Sequence, residues 1–161
     1  MTSPTVTAVI PTRNRPQEVR AAVRSALAQT LRDLEVVVVL DGPDPATVDA
    51  LGALSDPRLR WIEHPESRGA NAARGSGIAA ARASWVALLD DDDEWLPHKL
   101  DVQLARAARE CEPPIVACGM ELRLANGSYV VPRRPRAPDE PLSEYLFCRR
   151  GWKKREGVLQ T

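Results

Sequence analysis

The sequence predicts an α/β domain whose mostly parallel sheet is flanked by helices. Strand and helix patterns alternate from residue 5 to residue 110, which indicates consecutive βαβ units with helices on both faces of the sheet. Two segments, LEVVVVL at 34–40 and WVALL at 85–89, are apolar throughout, as is typical of strands buried on both faces. The second segment runs directly into four consecutive aspartates, Asp90 to Asp93.

The first half of this alternation follows from local signals. The β-branched residues of 5–10 predict a first strand that ends at Pro11. Pro16 stands where a helix can begin, and apolar residues recur at helical spacing over 17–29. We then predict a strand at 34–40 that ends in an Asp-Gly-Pro turn, a helix at 45–54 and a strand at 58–63.

The second half begins with an alanine-rich helix predicted at 71–83. Gly75 and Gly77 weaken this helix but allow it to approach a neighbouring element closely. Asn126-Gly127 is a favoured hairpin turn, and it predicts that two late strands give a mixed sheet. The other predicted elements are a strand at 85–89, a helix at 97–110, hairpin strands at 115–124 and 128–131, a proline-rich loop at 132–141 and a short helix at 142–148.

Composition excludes several classes of function. The 161 residues carry 22 basic and 22 acidic side chains, so net charge gives no reason to expect a nucleic-acid partner. The three cysteines lack metal-ligand spacing, which predicts reduced thiols and a cytoplasmic location. No apolar run is long enough for a membrane span, and no signal peptide is expected.

The aspartate run is the strongest candidate site. Four adjacent carboxylates repel one another, and a hard divalent cation such as Mg²⁺ or Mn²⁺ would compensate them while taking substrate phosphates as further ligands. The alternative is a solvated acidic turn that caps the next helix. Because parallel strands share one carboxyl edge, the polar residues after the first two strands, Thr12 to Arg15 and Asp41, should face the same crevice. Together they outline a nucleotide site with a metal–diphosphate pocket.

Other polar residues leave their roles open. Arg68 precedes the alanine-rich helix and either meets a phosphate or stays exposed, while Arg74 either meets a phosphate or pairs with a surface carboxylate. His64 and His98 are expected to be structural or exposed. Trp95 either packs over the site or is buried against the sheet.

Three stretches together resemble glycosyltransferase family 2, whose members have the Rossmann-like glycosyltransferase A fold. They are VTAVIPTRNRPQEVRAAVRSALAQT, EVVVVLDG and RGANAARGSGIAAARASWVALLDDDDEWLPHKL. The resemblance covers residues 5 to about 110. It implies a nucleotide-sugar-binding domain at 1–131, followed by a basic, proline-rich loop and the start of an acceptor-side region at 132–161.

The resemblance also assigns residues to roles. It gives donor binding to Pro11, Thr12, Arg15, Asp41, Arg68, Asp90 and Asp91. It gives the metal, Mn²⁺ or Mg²⁺, to Asp92 with Asp90, the two ends of a DxD motif. Within the donor set, Asp41 is implied to hydrogen-bond the nucleobase.

The implied activity is inverting, metal-dependent transfer of a sugar from a nucleotide-diphosphate donor, expected to be a UDP-sugar, to a saccharide, lipid or protein acceptor. The family's general base lies beyond the aligned region, so we expect a domain that is incomplete at its C-terminus. Three explanations stay open: a truncated piece of a longer chain, a fragmentary gene product, or a domain that an oligomer or another chain completes. The alternative is a non-catalytic module that binds a nucleotide diphosphate or a partner protein. A phosphotransfer domain would need a lysine beside its aspartates, and the only lysines are Lys99, Lys153 and Lys154.

Overall fold

The computed structural model describes residues 3–131, which belong to two compact units that meet in sequence between Arg109 and Glu110. The first unit alternates strands and helices as predicted. Its elements are β1 (Val6–Thr12), α1 (Pro16–Leu27), β2 (Leu34–Leu40), α2 (Pro45–Gly52), β3 (Leu59–Glu63), α3 (Ala70–Ala79), β4 (Trp85–Leu88) and α4 (Lys99–Ala107). The second unit contains β5 (Met120–Leu124) and β6 (Gly127–Val131).

The first unit is built on a four-stranded parallel sheet in the order β3-β2-β1-β4. Every residue of β1 and β2 is buried, as the apolar sequence of 34–40 predicts. The same expectation is wrong for β4, where Val86 and Leu88 are 38% and 43% exposed. The reason is that β4 is an edge strand of the described sheet and alternates between half-buried and exposed side chains.

The predicted end of the first strand at Pro11 is also wrong, because β1 continues to Thr12. Pro11 stays in register with Val39 of β2, whereas β4 pairs with β1 only as far as Val9. Alternate residues of β1 face β4, as the bond from the Leu89 N–H to the Val9 carbonyl shows. The missing N–H of Pro11 therefore falls on the side where the ladder has already ended, and no strand bond is lost.

One face of the sheet packs against α1, α2 and α4 in a single apolar cluster. The cluster draws on both central strands and on all three helices, including Ile10, Val38, Val23, Leu51 and Leu100. Trp95 is buried in the same cluster, so of the two positions left open for it the structure shows burial against the sheet.

The opposite face carries α3, so helices cover both faces as predicted. Ala73 packs against Val39, and Gly77 lies so close to β1 that a Cβ there would fall 2.3 Å from Cγ1 of Val9. The predicted close approach is therefore confirmed for Gly77. It is wrong for Gly75, where a Cβ would have no neighbour within 4 Å.

α3 ends at Ala79, four residues before its predicted end. Beyond the last helical hydrogen bonds, two backbone N–H groups donate to side chains near the start of β2 and β1. The Arg82 N–H donates to the Glu35 carboxylate over 2.7 Å, and the Ala83 N–H donates to Oγ1 of Thr7 over 3.2 Å. These bonds draw the chain away from the helical path and lead it into β4.

The hairpin forms close to the predicted turn, but its two turn residues are Ala125 and Asn126. Gly127, with a φ of +138°, is already the first residue of β6 and lies opposite Leu124. Its first strand starts at Met120 rather than at residue 115, where Ile115 is almost fully exposed. Within the described residues the hairpin is a separate two-stranded sheet, so the predicted mixed sheet is wrong there.

The predicted elements at 132–141 and 142–148 lie outside the described residues, and the division into 1–131 and 132–161 stays a prediction. Cys111 and Cys118 are free and exposed. Over residues 3–131, none of the helices combines the length and the apolar character that crossing a membrane requires.

Candidate functional site

The carboxyl ends of β1, β2 and β4 meet at one crevice of about 440 Å³, together with the start of α3. This convergence of three strand ends is the arrangement that the sequence predicts, because parallel neighbours end on the same edge. The lining residues are Pro11, Thr12, Arg13, Arg15, Asp41, Gly69, Ala70, Arg74, Asp90, Asp91 and Asp92.

The middle aspartates are held by side chains from the end of β1. Asp91 is buried, and its Oδ2 accepts a hydrogen bond from Oγ1 of Thr12 over 2.8 Å. Nη1 of Arg15 donates to Oδ1 of Asp91 over 3.2 Å and to Oδ2 of Asp92 over 3.0 Å. The hydrogen bond to Asp92, followed by the charge of Asp91, raises the pKa of Arg15. One guanidinium therefore bridges two carboxylates.

The first aspartate has a second arginine as its partner. Nη2 of Arg74, on α3, pairs with Oδ1 of Asp90, while Nη1 of the same arginine donates to Oδ1 of Asn71 over 3.3 Å. Of the two roles left open for Arg74, the structure thus shows the ion pair with a carboxylate. Asp93 does not line the crevice, and loss of water followed by repulsion from Asp92 and Asp90 raises its pKa.

The aspartates fit a divalent cation only if another ligand shares it. Within residues 3–131, no three His, Cys, Asp or Glu side chains converge on a ready-made metal position. The oxygens of Asp90 and Asp92 are nevertheless the hard ligands that Mg²⁺ and Mn²⁺ prefer, and such ions are commonly held by one or two carboxylates with substrate phosphates. The donor set therefore suits a metal that arrives with, or is completed by, a phosphate group.

Asp41 is buried after β2, and four hydrogen bonds surround its carboxylate. Oδ1 accepts from the N–H of Arg68 over 2.7 Å, and Oδ2 accepts from Oγ of Ser67 over 2.7 Å and from the N–H of Gly69 over 2.9 Å. Nδ1 of His64 lies 3.2 Å from Oδ1. The Arg68 bond first, then the Ser67 bond, holds the pKa of Asp41 far below its usual range.

These bonds define what Asp41 does in this arrangement. A carboxylate offers about four lone-pair sites, and the four partners use them. Asp41 therefore fastens the segment 64–69 to the end of β2 and sets the start of α3 beside the crevice. The nucleobase contact that the resemblance implies stays a prediction, and it would require one of these bonds to give way.

His64 is the residue whose part in the site the sequence does not reveal. Its Nε2 lies 2.9 Å from Oγ of Ser76 on α3, so the buried ring links Asp41 to that helix. This outcome agrees with the structural role considered for His64. The only sequence signal is a histidine closely following a strand, which is too common to mark a site.

Arg68 contributes its backbone N–H rather than its side chain. The side chain is exposed and does not line the crevice, so its contact with a donor stays a prediction. Arg13 does line the crevice and donates from Nη1 to Oγ of Ser67 over 2.7 Å. Gly69 is the N-cap of α3 at a φ of +91°, a conformation that favours glycine and brings bare backbone to the crevice.

A phosphotransfer arrangement finds no support in Lys99. Its Nζ lies 4.1 Å from the centroid of the Trp95 ring and 2.8 Å from Oε1 of Gln103, and the residue does not line the crevice. Lys153 and Lys154 lie outside the described residues.

Comparison with known proteins identifies the family. The model of "Glycosyl transferase family 2" matches residues 7–151 of the chain. The chain belongs to glycosyl transferase family 2. Its parallel sheet flanked by helices is accordingly a fold of the glycosyltransferase A type, as the resemblance implies.

Individual relatives match about two thirds of the chain. Succinoglycan biosynthesis protein ExoO of Rhizobium meliloti (strain 1021) is 42% identical over 104 residues, which cover 65% of this chain and 30% of ExoO. WfaP of Escherichia coli, described as UDP-Glc:alpha-D-GlcNAc-diphosphoundecaprenol beta-1,3-glucosyltransferase, is 30% identical over 99 residues, which cover 62% of this chain and 39% of WfaP.

Among solved structures, the mannosyltransferase PcManGT from Pyrobaculum calidifontis, in complex with GDP-Man and Mn²⁺, superposes with a TM-score of 0.56 at 27% identity. The match covers 68% of this chain and 32% of PcManGT. The family 2 chain described here thus spans well under half the length of each of these three relatives.

Proposed function

We propose that the crevice binds a nucleotide-diphosphate sugar, with UDP as the nucleotide, and that the whole protein transfers the sugar to an acceptor. The observation that carries this proposal is the meeting of four aspartates and three arginines at the carboxyl edge of a family 2 fold. The crevice volume of about 440 Å³ lies within the range of small-molecule sites. The descriptions of WfaP and PcManGT support a nucleotide-sugar donor.

The lining residues divide by chemistry. Pro11 and Thr12, with the segment fastened by Asp41, border the side proposed for the nucleoside. Arg15 and Arg74 have planar guanidinium groups that can each donate two hydrogen bonds to phosphate oxygens. The resemblance adds two contacts that await testing, from Arg68 to the base or diphosphate and from Asp90 or Asp91 to the ribose or sugar.

Asp92 and Asp90 would hold the metal, Mn²⁺ or Mg²⁺. When bound, the metal supplies positive charge that stabilises the departing diphosphate. Asp91, buried and fastened by Thr12, keeps its neighbours oriented towards the crevice. Arg15 and Arg74 add positive charge to the crevice in which the diphosphate is proposed to bind.

Transfer itself is proposed for the whole protein. The resemblance implies an inverting single displacement, in which the hydroxyl of a saccharide, lipid or protein acceptor attacks the anomeric carbon. The nucleotide diphosphate leaves as that bond forms. No residue of this chain is assigned as the general base, so the part proposed for residues 3–131 is donor and metal binding.

The test is calorimetric titration of UDP into the chain with and without Mn²⁺, repeated with Asp92→Ala. Glu94→Ala is the matched control, because Glu94 is an exposed carboxylate of the same segment that does not line the crevice. We expect Mn²⁺-dependent binding that Asp92→Ala abolishes and Glu94→Ala preserves. Absence of UDP binding to the unaltered chain would overturn the donor site. If the unaltered chain and both variants bind UDP equally well with and without Mn²⁺, the proposed role of the metal is overturned. Parallel titrations with GDP and ADP test the choice of nucleotide.

A further inference from the structure

Arg15 is bound to Asp92, one of the two carboxylates proposed for the metal. A single nitrogen, Nη1, bridges Asp91 and Asp92 at 3.2 Å and 3.0 Å. The side chains of Arg15 and Asp92 are 49% and 59% exposed, so an ion or a ligand can reach both from solvent. The residue immediately precedes α1, which makes no side-chain cap bond there, so helix formation does not depend on this side chain.

A divalent cation and this guanidinium compete for the same oxygen. Two positive groups within a few ångströms repel each other strongly at the rim of a protein crevice. We propose that Arg15 is the internal counter-ion of the acidic crevice: it holds Asp91 and Asp92 while the crevice is empty and moves to the donor's diphosphate when the metal takes Asp92. This exchange rests on the proposed function.

The other groups at the site are arranged for such an exchange. Asp91 keeps its bond from Thr12 when Arg15 departs, so a buried carboxylate is not left without a partner. Arg74 pairs with Asp90, the other carboxylate proposed for the metal, but its second contact with Asn71 anchors it on α3 and makes it the poorer candidate for such a movement. Arg15 is therefore the arginine that bears directly on Asp92.

The exchange makes binding of metal and nucleotide cooperative. While Arg15 is paired with Asp92, a metal ion without nucleotide must displace the guanidinium and is repelled by its positive charge. A diphosphate gives the guanidinium a new anionic partner and releases the carboxylate. By thermodynamic linkage, the nucleotide then tightens metal binding by the same factor by which the metal tightens nucleotide binding.

The first measurement is binding of Mn²⁺ alone to the 161-residue chain, followed by the electron paramagnetic resonance signal of free Mn²⁺. Arg15→Gln is compared with Arg13→Gln, which removes the same charge from the same crevice but breaks only a bond to Ser67. We expect Arg15→Gln to bind Mn²⁺ about three- to thirtyfold more tightly, because the competing ion pair is gone, and Arg13→Gln to change affinity less than about threefold.

The second measurement is UDP affinity at saturating Mn²⁺, where the expected sign is reversed. Arg15→Gln should weaken UDP binding about five- to fiftyfold, because the guanidinium that receives the diphosphate is missing. Arg15→Lys keeps the charge without the planar fork and should lie between the wild type and Arg15→Gln in both assays. Unchanged thermal unfolding establishes that each variant is folded, as the exposure of Arg15 leads us to expect.

Equal Mn²⁺ affinity of Arg15→Gln and the unaltered chain would overturn the exchange, as would an equal gain in Arg13→Gln. If the unaltered chain still binds UDP with Mn²⁺ in that case, the donor site stands without the exchange. If neither the unaltered chain nor the two Arg15 variants bind UDP, the proposed function itself is overturned, whatever the affinity for Mn²⁺ alone.

Discussion

Replacing Gly77 by alanine should drive α3 away from the sheet that it covers. A Cβ at this position would lie 2.3 Å from Cγ1 of Val9 and 3.2 Å from Cγ2 of Val39, whereas carbon atoms in ordinary contact are about 3.5–4.0 Å apart. Val9 cannot yield easily, because it is fully buried in a central strand and its branched side chain is stiff about χ1. The helix must therefore move by about 1 Å or more to restore ordinary contact.

The size of the effect follows from two opposing contributions. Overpacking of a closed core costs about 1–3 kcal/mol, and the shortness of this contact points to the upper end or beyond. Alanine regains roughly 1 kcal/mol of helix propensity over glycine. We therefore expect Gly77→Ala to lower the free energy of unfolding by about 2 kcal/mol.

Gly75 provides a matched control in the same helix, because a Cβ there has no neighbour within 4 Å. Gly75→Ala should raise the free energy of unfolding by about 0.5–1 kcal/mol, so the two variants should differ in sign. Urea unfolding followed by tryptophan fluorescence measures both. A Gly77→Ala variant as stable as the unaltered chain, or two variants that shift equally, would refute the close packing argued here.

Three further predictions concern the site and its surroundings. Asp41→Asn should destabilise the fold by about 2–3 kcal/mol, because an amide nitrogen replaces an acceptor that faces N–H donors, while Asp49→Asn on an exposed helical surface should have little effect in the same urea assay. The free energy of unfolding should be unchanged above pH 4.5 and should fall as the pH drops below the ordinary pKa values of 4.5 for Glu35 and 3.8 for Asp41. The reason is that folding depresses both pKa values. Urea unfolding at a series of acidic pH values measures this fall. Thr12→Val should weaken Mn²⁺-dependent UDP binding by about three- to tenfold in calorimetry, because Asp91 loses a hydrogen bond.

Each of these three predictions would be contradicted by a different result. Equal loss of stability in Asp41→Asn and Asp49→Asn would contradict the clamp on segment 64–69. If the urea concentration at the midpoint of unfolding stays constant as the pH drops below 4.5, the depressed pKa values are contradicted. Unchanged UDP affinity in Thr12→Val would mean that Asp91 needs no support from β1.

Much of the first unit could be predicted from local patterns. The apolar run of 34–40 and the β-branched run of 5–10 both form buried central strands, and the alternation of helices between strands yields the parallel sheet. These predictions succeed because strand and helix periodicity are properties of neighbouring residues. The apolar run of 85–89 misleads on burial, since a strand's place at the edge depends on the strands beside it.

Local sequence patterns identify which residues follow the strand ends. They also predict that those ends meet at one edge, because βαβ connections leave parallel strands pointing the same way. They thereby located Thr12, Asp41 and the aspartate run in one crevice. The pairing of charged side chains, in contrast, becomes visible only in the folded chain. Arg15 and Asp92 are 77 positions apart in the sequence, and Asp41 is 23 to 28 positions from its partners in the segment 64–69. Local sequence patterns therefore cannot predict these pairs. Through-space distances select hydrogen-bond and ion-pair partners, and the packing of strands and helices sets those distances.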